Sequence, residues 1–248
     1  MGRELIRTIL FSRGFHVAGA NVRSGSELAG RDIGEIADVP KIGVIASVDP
    51  QALVADVDVI VDFSSAEAAC GHVLLASEKK IPIVVGVTGF CSQQFDLLRE
   101  AATTNAVLVA PNTSVGVAIL TRLTRIASAA LGPEWDRSIL DIHHWTKKDV
   151  PSGTAKALCD ALESGFRESA SCEGADPIGR KAAPVEIASI RAGTIVGDHT
   201  VCLAGVGERI ELTHKAQDRA VYAHGALRAA GWLYGRSAGF YAMEDVVA

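Results

Sequence analysis

Apolar residues follow two alternating patterns along the first half of this chain. Leu5, Ile6, Ile9 and Leu10 recur at helical spacing. They predict a helix over residues 2–13, ended by Gly14, a residue that helix C-termini favour. Residues 15–22 predict a strand, a polar loop follows over 23–34, and 42–46 reads as a short strand. Residues 58–63, 81–87 and 106–110 are continuous apolar runs, which suits parallel strands buried on both faces. Pro82 sits near the start of its run, where a strand tolerates it. Helices are predicted from a Ser64-Ser65 cap to about residue 79, over 92–105, and over 114–131. Such alternation predicts a doubly wound, Rossmann-like α/β sheet.

The pattern changes near Gly132. A strand is predicted over 138–143, entering a basic loop, and a helix over 152–168. Residues 169–184 are small and polar and read as an exposed loop. Strands follow at 185–191, 199–205 and 208–215, with glycine-containing turns between them and no helix. This predicts a second, α+β domain on a mixed or antiparallel sheet. A helix over 219–234 and a short tail close the chain, with no internal repeat.

Composition narrows the class. With 248 residues, 48% hydrophobic and 21% charged, the chain has material for one large or two modest globular domains. A net charge of -5 argues against a nucleic-acid protein, though not against a local basic pocket. The five cysteines (Cys70, Cys91, Cys159, Cys172, Cys202) include no Cys-x-x-Cys pair, so free thiols in a reducing compartment are expected. No apolar run spans a membrane and the N-terminus lacks a signal-peptide core. Met1-Gly2 opens like a myristoylation signal, but Ile6 stands where that pattern wants Ser or Thr. The expectation is a cytoplasmic protein.

Ligands of open α/β sheets bind beyond the carboxyl ends of the strands. Three such ends carry small or turn-forming residues: Asp62 to Ser64, Gly86-Val87-Thr88-Gly89, and Ala110-Pro111-Asn112-Thr113-Ser114. Each alone is ordinary turn chemistry. Three at successive strand ends point to a nucleotide site. The stretch from Asp141 to Thr154 is more specific. Pro151-Ser152-Gly153-Thr154 opens a helix, whose amides and dipole attract a carboxylate or phosphate. His143 and His144 project to opposite sides if the strand runs through them, so one can act as acid while the other binds. Lys147 adds fixed positive charge, and Lys148 reads as solvated. No metal is expected, since no carboxylate or cysteine stands at ligand spacing beside the histidines. Arg191, His199 and Arg219 either line a pocket or pair with Glu208 and Glu211; spacing alone favours the pairing.

These residues resemble the dihydrodipicolinate reductase (4-hydroxy-tetrahydrodipicolinate reductase) family over almost the whole chain. The resemblance rests on Gly86 to Phe90, Ala110 to Val117, and the His143-His144-x-x-Lys147…Pro151-Ser-Gly-Thr154 signature. It continues through Arg191 to Val201, Gly207 to Arg209, Thr213 to Ala216, and the tail from Tyr241 to Asp245. It implies a dinucleotide domain (1–113 and 220–248) and a substrate-binding domain (114–219) that also builds a homotetramer. The implied reaction is reduction of 4-hydroxy-tetrahydrodipicolinate by NADH or NADPH, with loss of water, in diaminopimelate–lysine biosynthesis. Carried over by position, His143 is the acid/base and Lys147 a second proton donor or charge stabiliser. His144, Gly153 and Thr154 hold the substrate carboxylates. Gly86, Val87, Thr88, Ala110, Pro111, Asn112 and Thr113 contact the cofactor.

Three departures stand out. The family opens with a strand and a Gly-x-x-Gly-Arg-Met-Gly-Arg turn, of which only Met1-Gly2-Arg3 appears. Arg23 follows the position where an acidic residue would favour NAD, which tilts the expectation toward NADPH. Thr113 stands where relatives carry a larger side chain, which is expected to loosen the nicotinamide pocket. The leading expectation is a working reductase whose reading frame starts upstream of Met1. The alternatives are a non-catalytic binding or assembly paralogue and a reductase of another cyclic imine dicarboxylate.

Overall fold

The computed structural model describes residues 1–170 and 184–248. Most of the predicted 169–184 loop, with Cys172, therefore lies outside the described residues. The chain divides into two compact units, one of residues 1–114, 220–246 and 248, the other of residues 115–219 and 247.

The first unit runs through α1 (Gly2–Leu10), β1 (Ala20–Asn21), α2 (Ile33–Ile36), β2 (Ala46–Ser47), a 3-10 turn (Gln51–Leu53), β3 (Ile60–Asp62), α3 (Ala66–Lys79), β4 (Ile83–Val85), α4 (Ser92–Ala102) and β5 (Ala106–Val109). The second unit holds α5 (Val115–Leu131), β6 (Asp136–His143), α6 (Gly153–Ala170), β7 (Glu186–Arg191), β8 (Gly197–Ala204) and β9 (Arg209–Ala216). The chain then returns to the first unit as α7 (Ala220–Leu233), β10 (Gly239–Tyr241) and α8 (Met243–Val246).

The parallel sheet of the first unit has the order β10-β5-β4-β3. Ile83, Val84, Val85, Val107 and Leu108 are wholly buried, as their unbroken apolar runs require. Ser65 caps α3 through an Ala68 N–H to Ser65 Oγ bond of 3.3 Å. The Gln94 side chain accepts from the Cys91 amide at 2.9 Å to open α4.

The predicted 15–22 strand shrinks to Ala20–Asn21, and 42–46 to Ala46–Ser47. Asp32 explains the second change. Its carboxylate accepts from the amides of Ile42 (3.2 Å) and Gly43 (2.8 Å) and caps α2 through Gly34 N at 2.8 Å. Those amides are thereby taken from any strand ladder. α2 and β10 stand where only loop and tail were predicted.

Among the described residues β1 pairs with β2 alone, and β3 pairs with β4 alone. Between them lies a cavity of about 990 Å³, with Leu5, Ile6, Val17, Val22, Ile60 and Val61 in its wall. The parallel strands β1 and β3 are thus separated by a gap.

In the second unit the sheet order is β7-β6-β8-β9, with β6–β7 parallel and the other pairs antiparallel. Ile139, Val201 and Leu203 pack on one face with Leu120 of α5 and Leu158 and Leu162 of α6. Gly165 lets α6 approach α5, since a Cβ there would collide with the Arg125 carbonyl.

Candidate active site

The face of β6 that carries Ile139 continues, two residues at a time, through Asp141 and His143. Register does the rest. Asp141 lies opposite Ser189 on β7 and His199 on β8, and His199 opposite His214 on β9. His143 lies opposite Arg191. The apolar end of this face is covered by helices, and its polar end gathers these side chains.

Asp141 is completely buried. Its Oδ2 accepts from Ser152 N (3.0 Å), Ser189 Oγ (3.1 Å) and Arg191 Nη2 (3.2 Å). Its Oδ1 lies 2.9 Å from His143 Nδ1 and 3.3 Å from His199 Nε2. Burial pushes the Asp141 pKa up, but contacts from His143, His199 and Ser152 outweigh it and hold the carboxyl far below the usual range. The two histidine rings meet edge to face at 5.1 Å. Ser152 caps α6 by accepting from Ala155 N at 3.1 Å, and its Oγ is 3.3 Å from His199 Nε2. Gly197 faces His143: a Cβ there would sit 2.9 Å from Nε2, so that nitrogen has space only because residue 197 lacks a side chain.

His144 points elsewhere. It is half-buried, with Nδ1 2.6 Å from Thr146 Oγ1 and Nε2 3.5 Å from an Arg219 nitrogen. Desolvation, then the charges of Arg219, His143, Lys147 and Arg191, lower its pKa. That convergence of cationic groups is what an anion needs. Lys147 Nζ rests 2.9 Å from Asp149 Oδ1. Ala192 N donates to the His143 carbonyl (2.8 Å) and Trp145 N to the Gly193 carbonyl (3.2 Å), tying the basic loop to the β7–β8 connection. The Val150-Pro151 bond is cis, and Gly153 and Thr154 open α6.

The paired registers of Asp62, Val85 and Val109 bring the three strand ends of the first unit side by side. Gly86 donates to the Asp62 carbonyl (2.8 Å) and Ala110 to that of Val85 (2.9 Å). Gly86 has no room for a side chain, because Phe63 fills the place of its Cβ. Val87 is buried in the core, while Thr88 and Pro111 are exposed at the strand ends. Asn112 Oδ1 accepts from Ser114 N at 2.9 Å. Thr113 is buried, and its hydroxyl donates to the Tyr222 carbonyl at 2.7 Å, so its side chain contact is internal. Arg23 is exposed just beyond β1. Flat, small strand ends of this kind suit a dinucleotide.

Two readings of the sequence change. A carboxylate does stand at ligand spacing beside the histidines: Asp141, His143 and His199 hold donor atoms within 4.8 Å of one another. Arg191 meets the other oxygen of that carboxylate, with Nη2 3.2 Å from Oδ2. Arg191, His199 and Arg219 do not pair with Glu208 or Glu211; they converge on Asp141 and His144, and Glu211 pairs with Arg209 at 2.7 Å. Asp141 was findable, lying two residues before His143 on the same strand face. Spacing left His199 between lining a pocket and pairing with Glu208 or Glu211, and the β6–β8 register places it beside Asp141.

A Rossmann-like parallel sheet with a mixed-sheet unit carrying a buried carboxylate and two histidines is the build of a two-domain oxidoreductase. Family profiles specify it further. "Dihydrodipicolinate reductase, N-terminus" matches residues 1–113 and "Dihydrodipicolinate reductase, C-terminus" matches residues 116–247. This chain belongs to the dihydrodipicolinate reductase family. The 4-hydroxy-tetrahydrodipicolinate reductase of Rhodopseudomonas palustris (strain BisB5) is 40% identical, covering 100% of this chain and 93% of the relative. That of Syntrophus aciditrophicus (strain SB) is 39% identical, covering 100% and 94%. A dipicolinate-bound dihydrodipicolinate reductase from Paenisporosarcina sp. TG-14 shares the fold, with a TM-score of 0.76, 21% identity, and 98% and 94% coverage.

Proposed function

We propose that this chain reduces 4-hydroxy-tetrahydrodipicolinate to tetrahydrodipicolinate, with loss of water, in the diaminopimelate route to lysine. The observation that carries the reading is the cationic convergence on His144 beside the buried His143–Asp141 pair. A dicarboxylate needs fixed positive charge and helix-terminal amides. A reduced ring needs a proton source.

In this reading Arg219, His144 and the start of α6 at Gly153 and Thr154 hold the carboxylates. Lys147 leaves Asp149 to meet the substrate and supplies charge or a proton. His143 gives the proton from Nε2, the nitrogen facing Gly197. NADH or NADPH, when bound, supplies the hydride. Gly86 to Thr88 and Ala110 to Thr113 hold it at the ends of β4 and β5. Exposed Arg23 offers a partner for a 2′-phosphate and favours NADPH. The half-exposed face of the second sheet, with Leu140, Ile142 and Ile190, is the surface on which four copies assemble.

Titration with NADH and NADPH, followed by turnover of 4-hydroxy-tetrahydrodipicolinate, tests the proposal. Binding and turnover are expected with both, NADPH being preferred. A second reading is favoured by the gap between β1 and β3. It is a chain that binds the dicarboxylate without turning it over. Dicarboxylate binding with no binding of either nucleotide would establish that reading and reject the first.

A further inference from the structure

We infer that Asp141 and His199 together form a positioning device for His143, holding its ring with the proton on Nδ1 and Nε2 presented toward Gly197. The inference deepens the proposed function and rests on His143 being its acid. The two oxygens of Asp141 have separate duties. Oδ2 is held by three donors from two elements: Ser152 at the start of α6, and Ser189 and Arg191 on β7. These fix the carboxylate plane and keep it ionised. Oδ1 faces only imidazole nitrogens, His143 Nδ1 at 2.9 Å and His199 Nε2 at 3.3 Å. An ionised carboxylate accepts and never donates, so its charge at these distances favours a proton on each facing nitrogen, although neither contact has hydrogen-bond geometry.

For His143 that sets the tautomer. A proton on Nδ1 leaves Nε2 as the exchanging site. The approach to Oδ1 lies off the ring N–H axis, a looseness usual in uncomplexed catalytic sites. His199, edge-on to His143 and linked to Ser152 Oγ, limits how far the His143 ring can turn. The charged and titratable groups around the pair are Arg191 on β7, His144 and Lys147 on the basic loop, and His214 on β9. His214 has its pKa lowered by burial and by neighbouring His199.

Nothing in this arrangement touches substrate through Asp141, which is wholly enclosed. Its effect must therefore pass through His143. A purely structural role for so buried a carboxylate predicts lost stability and a general loss of binding. A positioning role predicts a loss confined to the proton-transfer step.

The test uses the full chain and three variants: Asp141→Asn, Asp141→Glu and His199→Gln. Imidazole nitrogen NMR on ¹⁵N-histidine-labelled protein reads which His143 nitrogen carries the proton, and steady-state kinetics read kcat and KM. Wild type is expected to show the proton on Nδ1. Asp141→Asn should move it to Nε2 and lower kcat about 100-fold, within the usual range for general acid catalysis, with KM changed by less than about threefold. Asp141→Glu should recover part of the loss, and His199→Gln should lower kcat by about tenfold with the tautomer retained. A wild-type proton on Nε2, or an unchanged tautomer in folded Asp141→Asn, overturns the inference. Equal losses in kcat and affinity overturn it as well. If Asp141→Asn fails to fold, His199→Gln decides: wild-type kcat there rejects the device. The NMR reading needs no turnover, so failure of the proposed reaction is told apart from failure of this inference.

Discussion

Asp62, at the end of β3, accepts from His72 Nδ1 at 2.7 Å and from Ser64 N at 2.7 Å. Burial pushes the Asp62 pKa up, but the His72 and Ser64 contacts outweigh it and bring it below 3.8. The bond to Asp62 raises His72 above 6.5 against burial. A lowered carboxyl stabilises above its unfolded pKa and loses that as pH falls through its folded value. A raised histidine stabilises below its unfolded pKa and loses that as pH rises through its folded value. The pair therefore contributes most between about pH 4 and 6.5, by roughly 1.5–3 kcal/mol for a charged hydrogen bond. Melting of His72→Gln against wild type should show its widest gap at pH 5.5 and a narrower one at pH 3 and pH 8.5. A gap independent of pH would remove the ion pair from the account. Gly197 makes a second residue-scale prediction. In Gly197→Ala the new methyl would press on His143 Nε2, so kcat should fall at least tenfold with nucleotide affinity unchanged in a titration. For His143→Gln and Lys147→Ala, turnover should likewise fall far more than nucleotide affinity. The basic-loop candidates were legible because their chemistry is local in sequence. Asp62 was legible only as a strand end, since its partner lies a helix away.

At the scale of elements, periodicity located the long helices and the buried strands, because burial on one or both faces writes itself into residue order. α3, α5, β6 and α7 begin and end close to where apolar spacing places them. Short elements escaped. α2 depends on the Asp32 carboxylate, and β10 on the free edge of β5, where Gly239 to Tyr241 pair with Ala106 to Leu108. Three residues carry too little pattern to read. The start of α6 joins element to site, since Ser152 caps the helix, donates to Asp141 and approaches His199. Ser152→Ala should cost about 0.5–2 kcal/mol in urea unfolding, the usual cost of a lost cap. It should also lower kcat, because the Oγ contact with His199 disappears while the backbone N–H bond to Asp141 stays. A stability loss with full activity would make the cap purely structural.

Over the whole molecule the main feature is the gap in the first sheet. Among the described residues β1 and β3 present unpaired edges on either side of an apolar cavity of about 990 Å³. Such edges favour a further strand. Fusing a short Val- and Ile-rich segment directly ahead of Met1 should raise Tm and reduce binding of an apolar dye. Each buried aliphatic side chain would add about 1.5–3 kcal/mol. An unchanged Tm would show that the cavity does not take a strand. The sequence by itself determined the α/β class, the change of architecture after α5, and the His-His…Pro-Ser-Gly-Thr loop. All of these are set by local periodicity and nearby residue types. The tertiary structure alone decided the company His143 keeps. Asp141, Ser189, Arg191 and His199 share one sheet face through the β7-β6-β8 register, and residues remote in sequence become neighbours only when backbone hydrogen bonds fix that register.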